Sequence, residues 1–265
     1  MRFFDAHPQF YATSQTGADA DRLHDRFRAI VEDNDDILRG SRLLDIASHD
    51  GRWSFAALHA GAKHVTGIEI RPYLVENSRA NMRTGGIDET RFDVICGDAL
   101  EEIARLSPGQ FDVVLCLGYL YHTVHLPQLI LQIGRLKPAH VILDTQLAVP
   151  VGHHEPREWL DLSHGIYGTF FMQALTELLS RQPIIFLHED ETRSEGMAVY
   201  RGNEGPWVPV GYPTKGALEM LFEHAGFGDF TYYDWLDTEL ENAVPSFDYR
   251  MGHRVTMRCR RIASD

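Results

Sequence analysis

From Arg42 onward, apolar and polar positions alternate in regular blocks. The run RLLDIA reads as a short buried strand, and WSFAALHA follows as a helix that Gly61 can end. VTGIEI is a second strand. Pro72 then opens a helix through YLVENSRANM that stops near Gly85 and Gly86. RFDVICGD is a third strand, followed by the short helix ALEEIARL. FDVVLCLG, the helix PQLILQIGRL and the strand VILDTQ complete the series. Apolar strands alternating with helices predict a parallel sheet covered on both faces, with right-handed crossovers.

The flanks behave differently. Residues 19–38 read as one helix, because Leu23, Phe27, Ile30, Val31 and Leu38 recur at helical spacing and Asp19 suits its N-cap. The preceding HPQFYATSQTGAD is a polar loop or cap. After Asp144 the rhythm is lost. Residues 146–212 hold Gly, Pro, His and aromatics, with one clear helix near FFMQALTELL. That stretch is too long for a simple connection and predicts an insertion over the sheet's ligand edge. Thr214 then caps KGALEMLFEHA, which Gly226 closes. FTYYDW and HRVTMRCRR are two further strands, expected to be antiparallel neighbours. The division expected is 1–41 as an N-terminal cap and helix, 42–145 as a ligand-binding core, 146–212 as a lid, and 213–265 as the rest of the same sheet.

Composition narrows the classes. The 265 residues are 44% hydrophobic and 24% charged, as in ordinary globular proteins. No apolar run approaches the roughly 20 residues of a membrane span. The N-terminal MRFFDAHPQF carries Asp5 and lacks a long apolar core, so no signal peptide is expected and the location expected is cytoplasmic. Cys96, Cys116 and Cys259 form no CxxC and are expected as buried thiols. The formal charge of −13 opposes tight binding to nucleic acid, which needs clustered Lys and Arg.

Ligands of open parallel sheets sit beyond the carboxyl ends of the strands. Here the first such end reads Leu43-Leu44-Asp45-Ile46-Ala47-Ser48-His49-Asp50-Gly51. Its small residues let backbone approach a ligand. The second strand ends at Glu69, whose carboxylate can accept from two ribose hydroxyls. The third ends at Asp98, which can accept from an adenine amino group. The local alternatives are a cap or loop acceptor for Asp45, a solvated strand end for Glu69 and an N-cap for Asp98. A dinucleotide site would show G-x-G-x-x-G for its pyrophosphate, and none occurs. Three acids would repel a pyrophosphate but suit a positively charged sulfonium nucleoside.

At these residues the chain resembles the class I S-adenosylmethionine-dependent methyltransferases. LLDIASHDG resembles their first motif, D/E-x-G-x-G-x-G, and departs from it at Ala47 and His49. The likeness covers about 42–145 and 212–261. It implies an α/β fold: a Rossmann-like, doubly wound, mostly parallel seven-stranded sheet with an antiparallel last strand and a lid insertion. It also implies S-adenosylmethionine as cofactor, with Asp45, Ala47, Gly51, Trp53, Glu69, Ile70, Arg71, Asp98, Ala99, Leu117 and Gly118 around it. Leu117-Gly118-Tyr119-Leu120-Tyr121-His122 resembles a segment of tRNA wobble-uridine carboxymethyltransferases. The whole chain is similar to actinobacterial sugar O-methyltransferases, including that of methylmannose polysaccharide synthesis. This implies O-methylation of a small polar acceptor, a saccharide of the mannoside-oligosaccharide type. The alternatives are a tRNA-modifying enzyme, a non-catalytic S-adenosylmethionine binder and an NAD(P) oxidoreductase.

Methyl transfer to a hydroxyl needs a proton acceptor near the reacting atoms. His122, just beyond the fourth strand, suits that role at neutral pH. Asp144 ends the fifth strand and could act as base, bind acceptor hydroxyls or ligate Mg²⁺. His154 is a further catalytic candidate, and His153 and Glu155 join Asp144 as candidate metal ligands. Tyr11, Gln15 and Arg22 could cap the methionine carboxylate. Trp53, Trp159, Tyr167 and Phe170 could form stacking surfaces, and the aromatic-rich lid could form a homodimer contact.

Overall fold

The computed structural model describes residues 1–13, 19–148, 184–190, 207–235 and 246–262. Strands β1 (Arg42–Ile46), β2 (His64–Glu69), β3 (Phe92–Cys96), β4 (Val113–Leu117) and β5 (His140–Gln146) are parallel neighbours. Two more, β6 (Ile184–Asp190) and β7 (Trp207–Pro213), form a separate antiparallel ribbon. Strands β8 (Phe227–Tyr232) and β9 (Arg254–Arg261) rejoin the main sheet. Its order is β3-β2-β1-β4-β5-β9-β8. The last strand, β9, runs antiparallel to both β5 and β8. The expected seven-stranded architecture is therefore the one observed.

The local signals act as anticipated. Helix α1 (Ala20–Ile30) starts at Asp19, whose carboxylate accepts from the Asp21 and Arg22 amides. It ends before the expected Leu38. The buried Asn34 side-chain amide donates to the carbonyls of Ala29 and Ile30, closing the last turn, and a short turn of helix resumes at Asp35–Leu38. Helices α2 (Arg52–His59), α3 (Pro72–Thr84), α4 (Ala99–Arg105) and α5 (Leu126–Leu136) alternate with the strands. Helix α5 buries Leu126, Leu129, Ile130, Ile133 and Leu136, one continuous apolar stripe. Helix α6 (Lys215–His224) is capped by Thr214, whose hydroxyl accepts from the Ala217 amide.

Two cores flank the sheet. One packs α5 and α6 on β4, β5 and β9 through Leu129, Ile133, Phe222 and Phe227. The other packs α1, α2 and the N-terminal turns through Phe4, Phe10, Phe27 and Phe55. Each fully buried side chain of this size contributes roughly 1.5–3 kcal/mol. The N-terminal segment, expected as a polar loop, is thus anchored by aromatic packing.

The β6–β7 ribbon has no counterpart in the periodicity of 146–212. It packs over the turn Leu120–His122, where the Tyr212 and Tyr121 rings stack at 5.7 Å. The helix expected near FFMQALTELL lies outside the described residues. Cys116 and Cys259 are buried as anticipated, whereas Cys96 is exposed, because the last residue of β3 turns its side chain out at the strand's open end. Among the described residues no helix is long and apolar enough to cross a membrane.

Candidate active site at the strand ends

The chain leaves β1 on one side for β2 and β3, then crosses to the other side for β4. This reversal opens a crevice at the carboxyl ends of β1 and β4, where open α/β sheets take their ligands. The turn after β1 lies there. Ala47, His49 and Gly51 have φ of +57°, +55° and +80°. These are the three positions where the resembled motif carries glycine. The left-handed path is kept although two of the residues bear side chains. Gly51 has no such latitude: a Cβ there would lie 2.3 Å from Ser78 Oγ.

The turn is clamped from several elements. The His49 amide donates to Glu69 Oε2 at 3.0 Å, and Ser48 N–H donates to the Ile68 carbonyl at 2.9 Å. Asp50 is fully buried and takes Arg52 through Nε (2.8 Å) and Nη2 (2.7 Å). Thr13 donates to it at 2.6 Å, and Asn81 holds its carbonyl at 3.0 Å. Burial alone would raise the Asp50 carboxyl, but the Arg52 guanidinium outweighs it and holds the group well below the usual carboxylate range. Thr13, Asn81 and Ser78 escaped the sequence reading. The last two were legible, since the buried face of α3 runs Leu74, Val75, Ser78, Asn81 and Met82. Polar residues on an apolar helix face carry a demand for partners.

The three acids separate. Glu69 is buried at the carboxyl end of β2 beside the turn. Its carboxylate holds the Arg71 amide at 3.0 Å and Arg71 Nε at 2.7 Å. Asp98 caps α4, accepting from the Leu100 and Glu101 amides through Oδ1. Ala99 is buried as the first residue of that helix, and Ile70, Leu117 and Gly118 are half-buried around the crevice.

Asp45 does not reach the crevice. It is 1% exposed inside β1, and Ser54 Oγ donates to it at 2.6 Å, tying strand to helix α2. Burial pushes its carboxyl up to about 7. Trp53 is likewise a packing residue, with its ring edge on Phe4 at 5.7 Å and the Arg26 guanidinium over its face at 5.0 Å.

Asp144, expected as a base, acceptor contact or metal ligand, has no exposed surface. Arg254 Nε and Tyr249 OH donate to it at 2.6 Å each, and Thr256 Oγ1 at 2.9 Å. Burial would raise its carboxyl, but Arg254 and then Arg26 hold it down at about 2. A carboxylate so occupied is a poor proton acceptor, and its lone pairs are spent on the protein. Among the described residues no three His, Cys, Asp or Glu converge on a metal-sized space. His153, His154, Glu155, Gln15, Trp159, Tyr167 and Phe170 lie outside the described residues. Tyr11 donates to Asp5, and Arg22 binds Asp248 through both terminal nitrogens. His122 is half-buried beyond β4, with its ring 4.1 Å from that of Tyr121. Arg254 Nη1 donates to the Tyr121 hydroxyl at 3.3 Å, linking this turn to the Asp144 cluster.

Residues 43–137 match the family model described as a methyltransferase domain. The match runs from β1 through α5 and contains the left-handed turn, Glu69, Asp98 and His122. An uncharacterized protein of Mycobacterium bovis is 31% identical over 120 residues, 45% of this chain and 42% of that protein. A ubiquinone biosynthesis O-methyltransferase of Neisseria meningitidis is 28% identical over 85 residues, 32% of this chain and 34% of that enzyme. The chain thus spans less than half the length of the curated relatives it matches. A putative S-adenosylmethionine-dependent methyltransferase from Listeria monocytogenes superposes with TM-score 0.59 at 13% identity, over 92% of this chain and 98% of that one. The N-terminal domain of EvdMO1, solved in the presence of SAH and D-fucose, superposes with TM-score 0.56 at 17% identity, over 98% of each chain.

The crevice within the matched segment gathers several polar groups. Glu69 offers a strand-end carboxylate, and the turn brings backbone close. Ser48 Oγ, Ser78 Oγ and both His49 ring nitrogens are buried polar atoms without a hydrogen-bond partner around that turn.

Proposed function

We propose that this protein is an S-adenosylmethionine-dependent O-methyltransferase acting on a hydroxyl of a small polar acceptor, of the saccharide class. The observation that carries the reading is the left-handed turn Ala47–Gly51 held against Glu69 inside the matched segment. The relative that methylates oxygen in ubiquinone biosynthesis supports the hydroxyl. The structural neighbour solved with SAH and D-fucose supports the sugar.

When bound, S-adenosylmethionine supplies an electrophilic methyl group on a positively charged sulfur. Glu69 would hold the ribose hydroxyls once Arg71 yields part of its carboxylate, and Asp98 would approach the adenine. His122 would take the acceptor's proton as its oxygen attacks, since it stands at the end of β4 beneath the β6–β7 ribbon. Segment 146–212 would form the lid that excludes water and selects the acceptor.

A labelled-methyl transfer screen against hydroxylated metabolites and oligosaccharides, with and without Mg²⁺, tests this. The expected product carries the label on oxygen, and His122→Ala slows its formation by about 10²-fold or more. Calorimetry that finds NADH bound and S-adenosylhomocysteine ignored would end the proposal. Methylation of tRNA with steep salt dependence would replace the acceptor.

A further inference from the structure

We infer that the acceptor carries an anion, a carboxylate or phosphate beside the hydroxyl that is methylated, and that Arg254 and Arg26 bind it. The inference rests on the O-methyltransferase reading above and narrows its substrate class.

The charge balance around Asp144 carries it. Arg254 Nε at 2.6 Å and Arg26 Nη2 at 3.5 Å both address Oδ1 of this one carboxylate. The carboxylate is fully enclosed, and the Arg254 and Arg26 side chains are only 8% and 14% exposed. Its other oxygen takes the Tyr249 and Thr256 hydroxyls, which bring no charge. Nearby acids are engaged elsewhere: Asp248 holds Arg22 through both terminal nitrogens, and Asp25 accepts from Ser246 Oγ at 2.9 Å. Among the described residues, two largely buried cations thus share one anion. Burial would discharge Arg254, but Asp144 outweighs it and keeps the guanidinium charged. An uncompensated buried charge is unfavourable, and a bound oxyanion would offset it.

Both guanidiniums hold donors in reserve. Among the described residues Arg254 Nη2 makes no hydrogen bond, and Arg26 Nε is buried without a partner. Arg254 Nη2 lies 3.1 Å from where a Cβ on Gly118 would sit, so the side chain crosses from β9 past β5 to the end of β4. Its Nη1 donates to the Tyr121 hydroxyl at 3.3 Å. The Tyr121 ring lies 4.1 Å from that of His122 and stacks on Tyr212 of the β6–β7 ribbon. The spare donors therefore adjoin the proposed proton acceptor, on the opposite side of β1 from Glu69. A guanidinium fork matches the spacing of carboxylate or phosphate oxygens. The anion only anchors the acceptor. The hydroxyl oxygen still gains the methyl group and yields its proton to His122, while the sulfur keeps the electron pair of the bond that breaks.

The test measures labelled-methyl transfer to glucose and mannose, to their uronates and to their phosphate monoesters. It uses the full chain, Arg26→Gln and Arg254→Lys, with S-adenosylhomocysteine binding followed by calorimetry. A charge-assisted hydrogen bond corresponds to about a tenfold or larger change in affinity. Wild-type KM for an acidic sugar should therefore lie about tenfold or more below that of its neutral parent. Preference for the uronate identifies a carboxylate, and preference for the phosphate monoester identifies a phosphate. In both variants the preference should shrink by about tenfold while S-adenosylhomocysteine affinity is held. Equal wild-type KM values for acidic and neutral sugars overturn the inference and leave the O-methyltransferase reading standing. So does a preference that survives in both variants. A loss of S-adenosylhomocysteine affinity with the preference intact also overturns it, by assigning the pair to the cofactor's own carboxylate. If Arg254→Lys fails to fold, Arg26→Gln decides by the same ratio. Wild-type protein that methylates no member of the panel overturns the saccharide reading itself, and this inference with it.

Discussion

Asp45 and Asp144 occupy similar positions and lead opposite lives. Both are central-sheet aspartates with almost no exposed surface, one in β1 and the other in β5. Asp45 has one side-chain donor, the Ser54 hydroxyl, and burial pushes its carboxyl up to about 7. Asp144 gathers Arg254, Tyr249 and Thr256 at hydrogen-bond distance, with Arg26 at 3.5 Å, and is held at about 2. Burial is common to both. The presence of a guanidinium decides the sign. Both acids are enclosed in the sheet, whereas the ligand role proposed above falls to Glu69 and the turn beside it.

The largest effect should come from Asp144→Ala. It leaves the Arg254 guanidinium buried and unpaired, and should cost about 3–5 kcal/mol of stability in urea denaturation. A loss under 1 kcal/mol would dissolve the contrast, because Asp144 would then not be the partner that holds Arg254. Glu69→Ala comes next, read in binding rather than folding. S-adenosylhomocysteine affinity should fall by about 1.5–3 kcal/mol, the range for charged hydrogen bonds. Unchanged affinity would remove Glu69 from the ribose.

Asp45→Asn should change stability least, and its effect should depend on pH. The Asp45 carboxyl is raised on folding, so its contribution is whole below about pH 4 and is lost as pH climbs through about 7. Asp144 is depressed, so its contribution is whole above about pH 4 and is lost as pH falls through about 2. Urea midpoints at pH 5 and pH 8 should therefore lie closer together in Asp45→Asn than in wild type. An unaltered gap would mean that Asp45 is charged in the fold.

Much of the fold was legible in local pattern. The five parallel strands, their helices, the Asp19 and Thr214 caps and the antiparallel last pair all follow from periodicity and end signals. The break after Ile30 was not legible, because it depends on where the Asn34 side chain folds back. Nor was the β6–β7 ribbon, whose sequence carries no clean alternation. In the site, the turn and Glu69 were readable as types at strand ends. The packing of Asp45 and Trp53 was not legible, because their positions in the motif say nothing about which way the side chains face.

By itself the chain determined the order of its elements, the topology class and the sulfonium-compatible acidic strand ends. Periodicity and capping are short-range, so they survive in a one-dimensional reading. Only the tertiary structure decided which acids are consumed inside. Tyr249 reaches Asp144 across 105 residues, Arg254 across 110 and Thr13 reaches Asp50 across 37. Charge and hydrogen bonding act over a few ångströms of space, and that distance exists only once the chain has folded.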